Sequence, residues 1–328
     1  MPVQSYLLEP DKRLSTGLGI ERMRRAVTEG SSSGTLWVDI ENPTPEETAL
    51  LDDVFGFHPL TIEDCTAVSE FPKIEDFGRY LFLVLLAPDA GTLLSDELRS
   101  VEMDIAVGSN YVVTYHSGGE LRCISRTANA LRRNPGAVLG RGADFLFHRL
   151  VDGLVDDYFP LMDILDRETE RIEDQFVDRE PERGAMARMM DIKKNILALR
   201  RIVTPHRQMI SRLSTQQHEV IGDTVGVYFR DVADHLARIG DNVELYRETI
   251  YEALQMHNSI VAQQTNEVMR VFTVIAALMA FPTAIASVYG MNFAFPGKES
   301  EHGFWWAVGI MVALTVGMIV YFRRKKWV

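Results

Sequence analysis

Inside a run of 27 uncharged residues, Val271 to Gly297, stands Tyr289-Gly290-Met291-Asn292-Phe293, which sets an amide oxygen two positions after a glycine. Upstream of it Asn266, Met269, Thr273, Ala276, Ala280, Thr283 and Ser287 recur three or four apart, the spacing of one helix face. That stripe is small or polar, whereas Phe272, Ile275, Leu278, Phe281, Ile285 and Val288 are bulky. Amide and hydroxyl oxygens in a row are ligands for a hard cation or for its water shell. The same stripe is also what helices need for close packing in lipid, and periodicity alone favours that simpler reading. Covalent chemistry finds no such support. No nucleophile–base pair stands out, and Gly297-Lys298-Glu299 lacks both the spacing and the hydroxyl of a phosphate loop. The eight histidines show no ligand spacing along the chain, so the expectation is a protein that is not an enzyme.

These residues need helices to hold them. Phe272–Tyr289 and Gly303–Phe322 are each long enough to cross about 30 Å of hydrocarbon, which takes about 20 residues. Trp305, Trp306, Tyr321 and Trp327 lie near the ends of the second run, where amphipathic rings favour the membrane interface. Arg270 precedes the first run and Arg323, Arg324, Lys325 and Lys326 follow the second, so both ends are expected in the cytoplasm with the short loop outside. Neither run holds an Asp, Glu, Lys, Arg or His, so no proton relay or fixed countercharge is written there. Two helices cannot enclose a water-filled path, so any conduction requires a ring of identical chains. The first helix would end outside, where its unpaired carbonyls and partial negative charge join Asn292 in attracting cations. Glu299 and Glu301 in the loop could concentrate cations there, although loop solubility explains them as well.

A heptad seam leads into the first span. Phe229, Val232, Leu236, Ile239, Val243, Tyr246, Ile250, Ala253 and His257 alternate three and four apart, and no proline lies between Pro205 and Pro282. One helix from about Val227 into the membrane is the simplest reading. Two earlier helices are expected, one from about 143 to 179 with Val151, Leu154, Tyr158, Leu161, Leu165 and Ile172 on one face, and one from about 182 to 214 that Pro205 could kink. Residues 1 to 145 read as mixed α/β, with strands at Thr35–Ile40, Tyr80–Ala87, Leu98–Val107 and Tyr111–His116. Thr44-Pro45-Glu46-Glu47 has the residues of a helix capping box.

The formal charge of −12 hides a contrast, because residues 1–270 alone carry −15. An acidic body disfavours nucleic acid, whose phosphates need clustered basic charge. Cys65 and Cys123 are expected to be buried reduced thiols. The N-terminus has no apolar stretch of signal-peptide length, so the body is expected to stay on the cytoplasmic side.

Gly290-Met291-Asn292 at the end of the first of two C-terminal spans resembles the signature of the CorA family of magnesium transporters. The short acidic loop, the basic end Lys325-Lys326-Trp327-Val328, Thr265-Asn266-Glu267-Val268-Met269 and Tyr228-Phe229-Arg230-Asp231 resemble that family too. The resemblance implies a homopentameric funnel: an α/β domain (1–145), a helical stalk (146–268), a pore helix (269–292), an outer loop (293–302), a second span (303–322) and a basic tail (323–328). It implies Gly290, Met291 and Asn292 as selectivity filter and the polar stripe as pore lining. It also implies that Mg²⁺, with Co²⁺ and Ni²⁺ as further ions, is both cargo and regulator in an inner cell membrane. Asp89, Asp231 and Asp152 match the carboxylates through which members sense internal Mg²⁺. The family's apolar constriction falls on Ala280, with the proline one residue late at Pro282, which leaves Met269 and Phe272 as gate candidates. Two alternatives stay open: a zinc transporter of the related branch, against which Met291 argues, and a two-span scaffold that transports nothing.

Overall fold

The computed structural model describes residues 3–67, 71–89, 92, 98–177, 184–216, 218–291 and 302–327. The chain forms two units, residues 1–253 and 254–328.

The first unit opens on a seven-stranded sheet: β1 Val3–Leu8, β2 Leu14–Thr16, β3 Thr35–Glu41, β4 Lys73–Asp76, β5 Tyr80–Pro88, β6 Ser100–Gly108 and β7 Tyr111–His116. Its order is β2-β1-β3-β7-β6-β5-β4, antiparallel except where β3 lies parallel to β7. Strand alternation sorts the side chains. Leu36, Val38, Ile40, Phe82, Val84, Val113 and Tyr115 pack on one face. They meet residues of α1 (Ile20–Glu29), α3 (Leu50–Asp53) and α4 (Pro59–Thr66). Helix α2 (Pro45–Thr48) starts with the capping box read from the sequence, Thr44 accepting from the Glu47 N–H and the Glu47 carboxylate from the Thr44 N–H. Helices α5 (Arg122–Arg133), α6 (Pro135–Val138) and α7 (Ala143–Asp156) follow β7.

One expectation fails here. The helix read from 143 to 179 is two, α7 and α8 (Phe159–Val177), separated by a turn at Asp157 and Tyr158. Pro160 explains the break, since it has no N–H to offer and its ring would collide with the carbonyl of Asp156. The apolar face still holds, because Val151, Leu154, Tyr158, Leu161, Leu165 and Ile172 are all buried. Conversely, Pro205 does not divide α9, which runs unbroken over Ala185–Thr215.

Helix α9 is fastened to the sheet through polar bonds. His206 Nε2 accepts from the Leu86 N–H of β5 at 3.2 Å, and Asn195 Oδ1 accepts from the N–H of Leu98, just before β6, at 2.8 Å; from the turn before α8, Tyr158 donates to the Leu86 carbonyl at 2.5 Å. Burial holds the His206 imidazole neutral and lowers its pKa to about 3. The unfolded chain binds that proton near pH 6.5 and the folded chain does not, so stability is complete above that pH and falls with acidification toward pH 3. Between pH 7 and pH 5 the loss from this group is expected to be about 2 kcal/mol. Denaturant unfolding followed by far-ultraviolet dichroism at the two pH values measures it, and His206→Gln should flatten the dependence.

Helix α10 runs from Asp223 to Gly290, about 100 Å at 1.5 Å per residue. Its seam residues from Phe229 to Ala253 are buried in the first unit. The second unit consists of the rest of α10 and α11 (Gly303–Arg324) among the described residues. Both helices are long and apolar enough to cross a membrane.

Candidate cation path and acidic cluster

The membrane-type helices leave most of their side chains bare, and the exceptions form stripes. On the apolar end of α10, from Val271 on, the shielded positions are Val274, Ala277, Leu278, Pro282, Ile285 and Tyr289; on α11 they are Gly303, Ala307, Val308, Met311, Thr315, Met318 and Phe322. Spacings of three and four on both helices are those of two helices packed along one face. The Arg270 guanidinium also lies 6.0 Å from the Trp327 ring centre. Asn266, Met269, Thr273, Ala276, Ala280, Thr283 and Ser287 are all exposed. At 100° per residue the two stripes of α10 centre about 150° apart, so the polar stripe faces away from the second span. Packing between these two spans is therefore not what the small residues serve.

The hydroxyls on that stripe are oriented by the helix itself. Thr273 donates to the Met269 carbonyl at 2.8 Å and Thr283 to the Met279 carbonyl at 2.7 Å. With the proton turned back into the helix, the oxygen lone pairs point outward as acceptors. Pro282 has no N–H, so the Leu278 carbonyl loses its intrahelical donor while the helix continues. At the end, the Met291 N–H bonds the Val288 carbonyl at 3.3 Å, and Gly290 closes the helix. Asn292, Glu299 and Glu301 lie outside the described residues. Met269 and Phe272, the gate candidates, are both bare, Phe272 at 64% exposure.

The acidic residues separate into two places. Asp152 on α7 is gathered with Asp156, one turn further along, and with His235 on α10, their ligand atoms all within 4.8 Å of one another. Asp231, one turn before His235, lies with Oδ2 3.8 Å from His235 Nε2. Burial and the neighbouring Asp156 charge raise the Asp152 carboxyl above its ordinary range. His235 stacks edge-on to Phe159 at 5.6 Å, and its Nδ1 is enclosed without a hydrogen-bond partner. Two carboxylates and an imidazole held this way fit a divalent cation, which would relieve the repulsion between the acids. Asp89 is not part of this group. It follows β5, its N–H bonded to the Arg99 carbonyl at 2.9 Å, and lines a cavity with Arg122 and Asp157.

His235 joins a candidate ligand group that the spacing of histidines along the chain does not display. Its partners Asp152 and Asp156 come from another helix, so linear spacing could not reveal the set. The signal available was two i, i+4 pairs, Asp152/Asp156 and Asp231/His235, each on one face of its helix.

Comparison with known proteins agrees with this architecture. Residues 32–324 match the family described as CorA-like Mg²⁺ transporter protein. The chain is 34% identical over 299 residues to the cobalt/magnesium transport protein CorA of Thermotoga maritima, covering 90% of this chain and 84% of that one. It is 33% identical over 298 residues to the putative metal ion transporter YfjQ of Bacillus subtilis, covering 89% of each. Its fold is similar to the complete structure of the CorA magnesium transporter of Methanocaldococcus jannaschii, with a TM-score of 0.81, 19% identity and 100% and 99% of the two chains covered. The ZntB cytoplasmic domain of Vibrio parahaemolyticus shares the fold over 79% of this chain, with a TM-score of 0.62 at 13% identity. An α/β sheet domain, a long helix and two apolar C-terminal helices are thus both what this sequence builds and what its relatives build, and the chain belongs to the CorA-like Mg²⁺ transporter family.

Proposed function

We propose that this protein is an integral membrane channel for Mg²⁺, passing Co²⁺ as well, assembled from five copies around the polar stripe of α10. The observation that carries the reading is the orientation of that stripe: uncharged, oxygen-bearing, bare, and turned from the only other span among the described residues. The names of the relatives, a cobalt/magnesium transport protein and a magnesium transporter among them, support the choice of ion. A hydrated dication sheds water reluctantly, and outward lone pairs, helix-end carbonyls and the Asn292 amide can hold it through its shell. Influx is passive. An inside-negative 100 mV supplies about 2.3 kcal/mol per charge, so about 4.6 kcal/mol for a dication.

Closure follows the cytoplasmic Mg²⁺ level. Asp231 and Asp152, together with Asp89 on its separate surface, carry negative charge that repels itself when no cation is bound. Both termini lie in the cytoplasm and the Asn292–His302 segment outside, in an inner cell membrane. Purified protein in liposomes loaded with a Mg²⁺-sensitive dye tests the reading: uptake should appear under an inside-negative potential, and its absence would refute transport in favour of a two-span scaffold. In the same vesicles Asp231→Ala should raise the internal Mg²⁺ that halves the flux by at least about fivefold, the usual lower range of a coupling energy. Wild-type inhibition would remove Asp231 from the sensor.

A further inference from the structure

The parallel pair β3–β7 carries a second set of metal-type donors, on the sheet face away from α1, α3 and α4. The chain leaves β3 toward α2–α4 on one face and leaves β7 toward α5 on the other. Such a divergence opens a crevice at the carboxyl ends of the two strands, the usual ligand position of α/β sheets. Here the crevice is a cavity of 140 Å³ under α5, lined among others by Asp39, Glu41 and His116.

The donors are built in. Asp39 and His116 are each 4% exposed. Thr114 Oγ1 donates to Asp39 Oδ1 at 2.5 Å and itself accepts from Trp37 Nε1 at 3.1 Å, which pins the carboxylate. Glu41 is the register partner of His116, so both side chains leave the sheet on the same face as Asp39. Asn42 clamps the two strand ends, its N–H bonded to the His116 carbonyl at 2.9 Å and its Oδ1 accepting from the Gly118 N–H at 3.1 Å.

His116 itself is the unexplained group. Both of its ring nitrogens are buried without a hydrogen-bond partner, and buried polar atoms are normally paired. Nε2 lies 3.5 Å from Asp39 Oδ1, too far for an N–H···O bond. Two donors of one tetrahedral ion, bonded at about 2.0–2.1 Å, stand about 3.4 Å apart. We propose that Asp39, Glu41 and His116 form a binding site for a borderline first-row dication of the Co²⁺, Ni²⁺ or Zn²⁺ class, separate from the Asp152 cluster. The imidazole sets the class, because Mg²⁺ demands oxygen donors and keeps its waters. Thr114 and Trp37 orient the carboxylate from behind, as outer partners of metal ligands do. A bound ion would tie the ends of β3 and β7 together beneath α5.

The test uses the full-length chain in detergent carrying His235→Gln, which removes the imidazole of the other cluster, with Mg²⁺ in large excess to fill oxygen sites. Added Co²⁺ should give saturable visible d–d absorption of a four- or five-coordinate ion, one equivalent per chain, displaced by Zn²⁺ but not by Mg²⁺. His116→Gln and Asp39→Asn should each weaken Co²⁺ binding by more than about 10-fold, and Thr114→Val by about 10-fold. Absorption of the hexaaquo ion only, or a spectrum indifferent to His116→Gln and Asp39→Asn, overturns the proposal. If those core variants do not fold, half-buried Glu41→Gln decides: lost or altered absorption supports the site and an unchanged spectrum refutes it. None of these readouts involves Mg²⁺ flux, so their outcome is independent of whether the chain transports.

Discussion

Replacing Asn292 by alanine is expected to reduce potential-driven Mg²⁺ uptake to the level of empty liposomes while the oligomer stays intact. In the proposed pore the physical ground is the number of amide oxygens that five chains would bring together. In a ring of five chains the substitution removes five amide oxygens at once. A hydrogen bond to a charged group contributes about 1.5–3 kcal/mol, so several lost together exceed the roughly 4.6 kcal/mol that 100 mV supplies to a dication. The backbone carbonyls at the end of α10 survive the substitution, and they alone offer no side-chain acceptor for the water shell. Asn292→Asp separates charge from geometry: it keeps an oxygen, adds negative charge, and should bind the cation tightly enough to slow its release. Size-exclusion chromatography of both variants checks assembly. Unchanged flux in Asn292→Ala would show that the ion enters elsewhere.

How far the sequence reaches depends on whether a feature is local. The heptad seam from Phe229 to Ala253 was legible because a single long helix carries its whole pattern, and those residues are buried. Strands β3, β5 and β7 were legible from runs of β-formers, and Tyr111–His116 matches to the residue. Strands β1, β2 and β4 were not read, being short or half polar, and their place comes from pairing with distant partners such as Tyr6 with Trp37. The break between α7 and α8 was legible in principle, since Pro160 forbids the straight helix that apolar spacing suggests. The Asp152, Asp156 and His235 group was not, because its ligands are about 80 positions apart and meet only through the packing of α7 on α10. Likewise the sequence displayed the polar stripe but not which way it faces. That is decided by the shielded stripe at Val274, Leu278 and Ile285, residues indistinguishable by type from their bare neighbours.

That orientation predicts the other large effect. Ala280 stands on the polar stripe, and Ala286 stands about 110° from the stripe's centre and about 100° from the shielded one. Both are exposed in the single chain and both are alanine, so the same substitution tests position alone. Ala280→Leu is expected to cut Mg²⁺ flux by more than about 100-fold, because a ring of leucines makes an apolar collar. Carrying charge past such a collar costs at least about 3 kcal/mol, and each 1.36 kcal/mol is a factor of ten in rate. Ala286→Leu faces lipid and should leave flux within about twofold, since it only adds apolar surface to an apolar solvent. The alanine at position 280, one helical turn above Ala276 and two residues before Pro282, then acquires a meaning in the proposed pore. In the proposed pore, a wide collar at Ala280 would leave closure to the N-terminal end of the span, where Met269 and Phe272 are large bare side chains. In that case Met269→Ala, measured beside Ala280→Leu, should leave conduction in place and weaken closure by internal Mg²⁺. Equal flux through Ala280→Leu and Ala286→Leu would place the ion path on some other face of the helix.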